Sequence, residues 1–130
     1  MPRPARLGAV LVSLVMALAV TGCGSDDTEG PTGETVVAKK DSSGTPTLDL
    51  TFKGDDVTPQ GAKVEVKAGE TLKLHITADK PGEIHVHSSP EQEIEYESAT
   101  TDKTLTIDKP GVVDVESHTL EKLIVQLEVR

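Results

Sequence analysis

Residues 64–88 read VEVKAGETLKLHITADKPGEIHVHS, and three short runs in this stretch alternate apolar with polar side chains. The turn-forming segments AGE and DKPG separate the runs. A period of two places one set of side chains on a buried face and the other set in solvent. The stretch therefore predicts three consecutive strands of a half-buried β-sheet.

The same alternation continues on both sides of this stretch, and DKPG recurs at 108–111. About seven short strands spaced about ten residues apart, with no helical period, predict an all-β fold, an antiparallel Greek-key β-sandwich. The stretch 91–102 is ambiguous and contains at most a short edge strand around Ile94–Tyr96. The further alternating runs lie at 48–53, 103–107, 112–117 and 123–129.

Residues 1–22 have the features of a secretory signal. Arg3 and Arg6 precede an apolar run at 7–20, which is too short to span a membrane as a helix. The run ends in VTGC, which resembles the lipobox of bacterial lipoproteins, where the signal is cleaved before a cysteine whose sulfur receives a lipid. Cys23 is the only cysteine, which excludes an internal disulfide. The alternative is an ordinary secretory signal followed by an unmodified cysteine.

The lipobox resemblance implies a protein held at a membrane without a spanning helix. Two or more acyl chains anchor a protein stably, whereas one chain holds it only marginally. We therefore expect a lipid on Cys23 and a location on the extracytoplasmic face of the cell membrane. The predicted organisation is a signal peptide at 1–22, the lipidated cysteine and a flexible tether rich in Gly, Ser and Thr at 23–46, and the β-sandwich domain at 47–130.

The chain is acidic, with a formal net charge of −9 at pH 7. Cleavage of the signal removes Arg3 and Arg6 and no acidic residue, so the charge becomes −11. This balance argues against nucleic acid and against docking on anionic lipid headgroups. It is compatible with cationic partners, including metal ions.

Two segments, 64–88 and 103–130, resemble a cupredoxin-like domain of bacterial lipoproteins. The matching features are the VKAGE turn before a strand, the histidine-bearing strand that follows, and a strand after PG that ends near a second histidine. The redox centre of that family needs two histidines, a cysteine thiolate and commonly a weak methionine ligand. The resemblance places Ser117 near the thiolate position, and no methionine follows residue 16. The ligands therefore exclude a type 1 copper centre.

Histidines remain as candidate metal ligands. His85 and His87 share one face of their strand because side chains two residues apart point the same way. The resemblance implies that strand 112–117 lies beside this strand, so that His118 could join them, and His87 and His118 at strand ends are the leading pair. Glu83 and Glu116 have the parity to act as ligands or to orient an imidazole. This set suits Cu(II) or Zn(II) better than Cu(I).

Other interpretations of these histidines stay open. Ile84 and Val86 claim the core face, so His85 and His87 could simply form a solvated polar face, as His75 does on its own strand. A pH-responsive patch is a third interpretation, since histidine titrates near neutral pH.

At the level of function, we expect a protein that is not an enzyme, because the sequence contains no GxSxG, HExxH or phosphate-binding glycine loop. The first hypothesis is a membrane-anchored cupredoxin-like lipoprotein that binds copper or another divalent metal such as zinc, without redox activity. The alternative is a metal-free accessory module that docks another protein of the cell envelope.

Overall fold

A computed structural model describes residues 33–130 of the chain. The predicted signal peptide and Cys23 lie outside the described residues. The described part contains ten strands and no helix, so none of its elements is a helix that could cross a membrane. The predicted all-β sandwich is confirmed. The strands are β1 (Lys39–Lys40), β2 (Pro46–Lys53), β3 (Asp56–Thr58), β4 (Ala62–Val66), β5 (Thr71–Ala78), β6 (Gly82–Val86), β7 (Gln92–Tyr96), β8 (Ala99–Thr106), β9 (Gly111–Ser117) and β10 (Lys122–Val129).

The strands form two sheets of five. One sheet has the order β1-β2-β5-β8, with β3 paired to β2, and the other has the order β4-β10-β9-β6-β7. The pairs β2–β5 and β4–β10 are parallel, whereas the others are antiparallel. The sandwich is therefore mixed, not purely antiparallel. Parallel neighbours arise because the chain crosses between the sheets before it returns, so these pairs are not joined by hairpins.

Alternation within the strands builds the core between the sheets. Along β5, Leu72, Leu74 and Ile76 are buried, while the residues between them are partly exposed. Ile84 and Val86 of β6 are fully buried in the same way. Burial of an aliphatic side chain of this size stabilises the fold by about 1.5–3 kcal/mol. The period-two pattern therefore accounts for both the strands and their inward faces.

Part of the segment predicted as a tether belongs to the sandwich. The backbone amide of Val36 donates to the carbonyl of Lys63 at 2.8 Å, and the amide of Lys63 donates to the carbonyl of Glu34 at 2.8 Å. β1 pairs with β2, and Val36 and Ala38 pack against the core. The folded domain therefore begins before residue 47. Edge pairing uses backbone groups of any residue type, so the composition of this segment did not reveal it.

The ambiguous stretch 91–102 connects the two sheets. It forms β7 at the edge of one sheet and the first part of β8 at the edge of the other. Ala99 has a φ of 74° where the chain changes sheets. Most side chains of β8 are exposed because it is an edge strand, and this weakens the apolar alternation on which a sequence prediction depends.

A small polar contact closes the core near the end of β9. The rings of Phe52 and Tyr96 stack with centroids 4.7 Å apart, and the Tyr96 hydroxyl is hydrogen-bonded to Ser117. Ser117 is fully buried, and its Oγ also accepts a hydrogen bond from the amide of Leu120 at 3.2 Å. The side chain that the cupredoxin resemblance places near the thiolate position is thus engaged within the fold. Burial raises the pKa of Tyr96, with a further contribution from the charge of Asp79.

We predict that the alkaline stability of the domain depends on Tyr96. Its pKa is raised above the value of about 10 for an unfolded chain, so its contribution to stability is present below pH 10 and is lost as pH rises further. Because it is the only tyrosine and the chain has no tryptophan, phenolate absorbance reports this group alone. Native absorbance titration should give a midpoint above 10. A Tyr96→Phe variant should lose less stability between pH 9 and 11 than the wild type, and a native midpoint at or below 10 contradicts the prediction.

Candidate metal centre

Nine outward-facing side chains of β6, β9 and the β7 region form one polar surface, here called the histidine–carboxylate face. The register places His85 opposite Glu93 on one side and Glu116 on the other. Backbone hydrogen bonds from His87 to Asp114 and from His118 to Glu83 extend the same register at both ends. The face has six carboxylates and three histidines: Glu83, His85, His87, Glu91, Glu93, Glu95, Asp114, Glu116 and His118.

His85 lies near the centre of this face, and its position in β6 fixes the direction of its side chain. Its neighbours Ile84 and Val86 are fully buried, which turns the imidazole outward, as the alternation predicts. The side chain is nevertheless only 23% exposed, and Nε2 is buried without a hydrogen-bond partner among the described residues. The carboxylate oxygen Oε2 of Glu91 lies 3.4 Å from this nitrogen, close enough for an ion pair but without hydrogen-bond geometry. An unsatisfied buried polar atom costs about 1–3 kcal/mol.

His87 stacks on His85 on the outer side of the sheet. The ring centroids are 4.6 Å apart and the ring planes differ by 15°. Nε2 of His87 lies 3.0 Å from Oε2 of Glu116, at hydrogen-bond distance. The two imidazoles are therefore neighbours on one face, with a different carboxylate beside each.

His85, His87 and Glu91 form a set that could hold a metal ion. Each offers one ligand atom, and the three atoms lie within 4.8 Å of one another. In a tetrahedral zinc site with bonds of about 2.0–2.1 Å, two ligand atoms are separated by about 3.4 Å. The distance of 3.4 Å between His85 and Glu91 already matches this spacing. The ring of His87 is stacked on that of His85, so the His87 side chain would have to rotate to direct a lone pair at the same ion.

The structure does not bring His118 to the same place. His118 follows β9, and its amide bonds to the carbonyl of Glu83, whereas His87 bonds to Asp114. Because β6 and β9 are antiparallel, His87 and His118 lie at opposite ends of their pairing, roughly 13 Å apart along the strands at about 3.3 Å per residue. The leading pair of the sequence analysis is therefore not assembled. The position of His118 along the register was not available from the sequence.

His75 lies on the other sheet and has its own partners. Its Nδ1 is 2.6 Å from Oδ1 of Asp102, and Lys73 lies 3.1 Å from the same carboxylate. The hydrogen bond with His75, followed by that with Lys73, lowers the pKa of Asp102. His75 is thus a surface strand residue in an ion-pair network, as expected.

Glu91 was missed by the sequence analysis. It precedes β7 in the stretch that the sequence left ambiguous, and it reaches His85 only because β7 pairs with β6. A usable signal was present in EQEIEYE at 91–97, where glutamates alternate with other residues and so share the outer face of a strand. That pattern could identify a row of carboxylates but not the strand beside it.

Comparison with solved structures supports the cupredoxin-like fold. The metal-binding domain of the Streptococcus pneumoniae Cu(I)-exporting P-type ATPase CopA, with Cu(I), has a TM-score of 0.58 at 12% identity, over 75% of this chain and 96% of that chain. A copper-binding protein in the apo form gives 0.55 at 12%, over 78% and 100%. A methionine-to-alanine mutant of amicyanin with Cu(I) gives 0.51 at 13%, over 77% and 95%.

These identities are low, so the likeness concerns the fold. The domain is cupredoxin-like, as its turns and histidine-bearing strands suggested. No protein-family model matches the sequence, and no curated protein matches it. The candidate site residues are therefore identified by the geometry of this chain alone.

We predict that repulsion between carboxylates on the face lowers the stability of the domain. Glu83 and Glu95 lie directly opposite each other, and like charges in such pairs cost up to about 1 kcal/mol. A Glu95→Gln variant should therefore unfold at a higher urea concentration than the wild type at low ionic strength. The gain should shrink in 1 M salt, where the Debye length is about 3 Å.

The matched control for this prediction is Glu70→Gln. Glu70 lies in the turn between β4 and β5, away from the face, and its replacement removes the same charge. An equal gain in both variants would assign the effect to net charge and contradict a local repulsion.

Proposed function

We propose that this protein is a lipid-anchored, extracytoplasmic cupredoxin-like protein that binds a divalent metal ion at His85, His87 and Glu91. The observation that carries the proposal is the convergence of these three side chains on one face, with the buried Nε2 of His85 left without a hydrogen-bond partner among the described residues. A metal ion would bond to that nitrogen and remove the cost of its isolation.

The chemistry of the ligands favours Cu(II) or Zn(II). Imidazole nitrogen and carboxylate oxygen suit these ions, whereas Cu(I) prefers thiolate and thioether sulfur. Residues 33–130 contain no cysteine or methionine. Copper is the first candidate because the names of the three fold neighbours refer to copper. Zinc is the second because three protein ligands leave a position for an outside ligand.

Metal storage, metal delivery or metal resistance fits this chain better than electron transfer. Ser117 lies near the position that the resemblance gives to a thiolate. It is fully buried and hydrogen-bonded to Tyr96. The proposed site instead lies on the outer face of a sheet, where His87 is 41% exposed. An exposed site of this kind lets an ion exchange with another carrier. The proposed role is therefore to hold a metal ion and pass it on, without catalysis.

The proposed location at a membrane, on the extracytoplasmic face, is supported by the N-terminal segment of the sequence. VTGC at 20–23 resembles a lipobox, and Cys23 would carry the lipid. Residues 24–32 separate this cysteine from the first described residue, Gly33. A chain of that length spans up to about 30 Å when extended, which is enough to hold the domain off a bilayer surface.

We predict that the purified protein binds one Cu(II) or Zn(II) ion per chain. The variants His85→Ala and His87→Ala should each weaken binding by more than about 100-fold, because each removes a direct ligand and the loss of a supporting group alone costs 10–100-fold. Competition titration against a chromophoric chelator gives the affinities.

The controls are His75→Ala and His118→Ala, which remove histidines that lie outside the set. They should leave the affinity unchanged. If the wild type binds neither ion, or if all four variants weaken binding equally, the metal site is refuted and the metal-free docking of an envelope protein becomes the preferred function.

We also predict that Cys23→Ser abolishes lipid attachment in a bacterial host. The wild type should incorporate labelled palmitate and sediment with membranes, because two or more acyl chains anchor it. The variant should remain unlabelled and keep its uncleaved signal, and so run as a larger precursor. A variant that still incorporates labelled palmitate would contradict a lipid on Cys23.

A further inference from the structure

We propose that Glu116 is a positioning residue that fixes the tautomer of His87, so that the metal ion binds His87 through Nδ1 and His85 through Nε2. The inference rests on the proposed function, since it concerns how that site binds its ion. It assigns a role to a carboxylate that is not part of the convergent set of His85, His87 and Glu91.

The geometry around Glu116 supports this role. Its Oε2 lies 3.0 Å from Nε2 of His87, and both side chains are a little under half exposed. The register places Glu116 opposite His85, so it reaches His87 diagonally across the pair β6–β9. Glu91, in contrast, contacts His85 and comes from the β7 side of β6. The two carboxylates therefore approach the stacked imidazoles from opposite sides.

The hydrogen-bond chemistry determines the tautomer. An ionised carboxylate only accepts hydrogen bonds, so Nε2 of His87 must carry the proton in this contact. In a neutral imidazole the other nitrogen is then free of a proton and can donate its lone pair. A ligating histidine usually gives its second ring N–H to a carboxylate or carbonyl, which fixes the ring and raises its basicity. Nδ1 of His87 is therefore the nitrogen prepared for the ion.

The opposite assignment, with the ion on Nε2 of His87, would remove a hydrogen bond within the protein. A nitrogen cannot hold a proton and a metal ion together, so binding through Nε2 of His87 would break the hydrogen bond to Glu116. His85 differs because its Nε2 has no hydrogen-bond partner among the described residues and faces Glu91. His85 is thus arranged to bind the ion through Nε2, and His87 is arranged to bind it through Nδ1.

The test uses zinc and the full chain in detergent. Nitrogen NMR of the ¹⁵N-labelled, Zn(II)-bound protein distinguishes a metal-bound Nδ1 from a metal-bound Nε2 in each histidine. The wild type should show His85 bound through Nε2 and His87 through Nδ1. In Glu116→Ala the His87 signal should become a mixture of the two modes, which the loss of a structural contact alone would not produce.

The affinity of the protein for zinc is the second measurement. Glu116→Gln keeps the size of the side chain but removes the negative charge that raises the basicity of His87, and its amide can also turn to donate to Nε2, so it should weaken zinc binding by roughly 10–100-fold. The matched control is Glu93→Gln, which removes the same charge from the other side of His85 and leaves Glu116 in place. It should weaken binding much less.

Three results would overturn the inference while zinc still binds. They are His87 bound through Nε2 in the wild type, Glu116 itself bound to zinc, and equal losses in Glu116→Gln and Glu93→Gln. Absence of zinc binding in the wild type would instead refute the proposed metal site.

Discussion

The burial of Ile84 and Val86 is the constraint on which the candidate site depends. Both side chains are fully enclosed between the sheets, and their burial stabilises the fold by about 1.5–3 kcal/mol each. A shift of β6 by one residue would expose both and bury His85 and His87. The core therefore holds the two histidines on the outer face in a fixed register, where they meet side chains from β9 and the β7 region.

The proposed site does not lie at the end of the sandwich where the resemblance places the thiolate of a redox centre. The end of the sandwich near Ser117 is closed by a hydrogen bond to Tyr96, which in turn stacks on Phe52. The histidines and carboxylates lie instead on the surface of a sheet. A surface site has weaker desolvation and easier exchange than a buried one, which supports the proposal that the ion is held and passed on. The carboxylates on the face outnumber the histidines and repel one another. This excess of negative charge also favours a cation there.

Local patterns predicted the strands well and their neighbours poorly. Alternation located β5 and β6 and the inward residues of each, because one buried face leaves a period of two in the sequence. The edge strand β7 and the first part of β8 were ambiguous, and β1 and β3 were missed, since short edge strands need little apolar alternation. Glu91 was overlooked for the same reason. His118 was assigned to the site through the family resemblance, which indicates a neighbouring strand but not its register.

The sequence by itself determined that the domain is a β-sandwich, that His85 and His87 share an outer face, and that residues 33–130 lack the cysteine and methionine ligands of type 1 copper. These conclusions depend on residue identity and on spacing along one strand. Only the tertiary structure decided which side chains from other strands reach those histidines. It placed Glu91 and Glu116 beside them and His118 at the far end, because register between strands is set by the packing of the whole core.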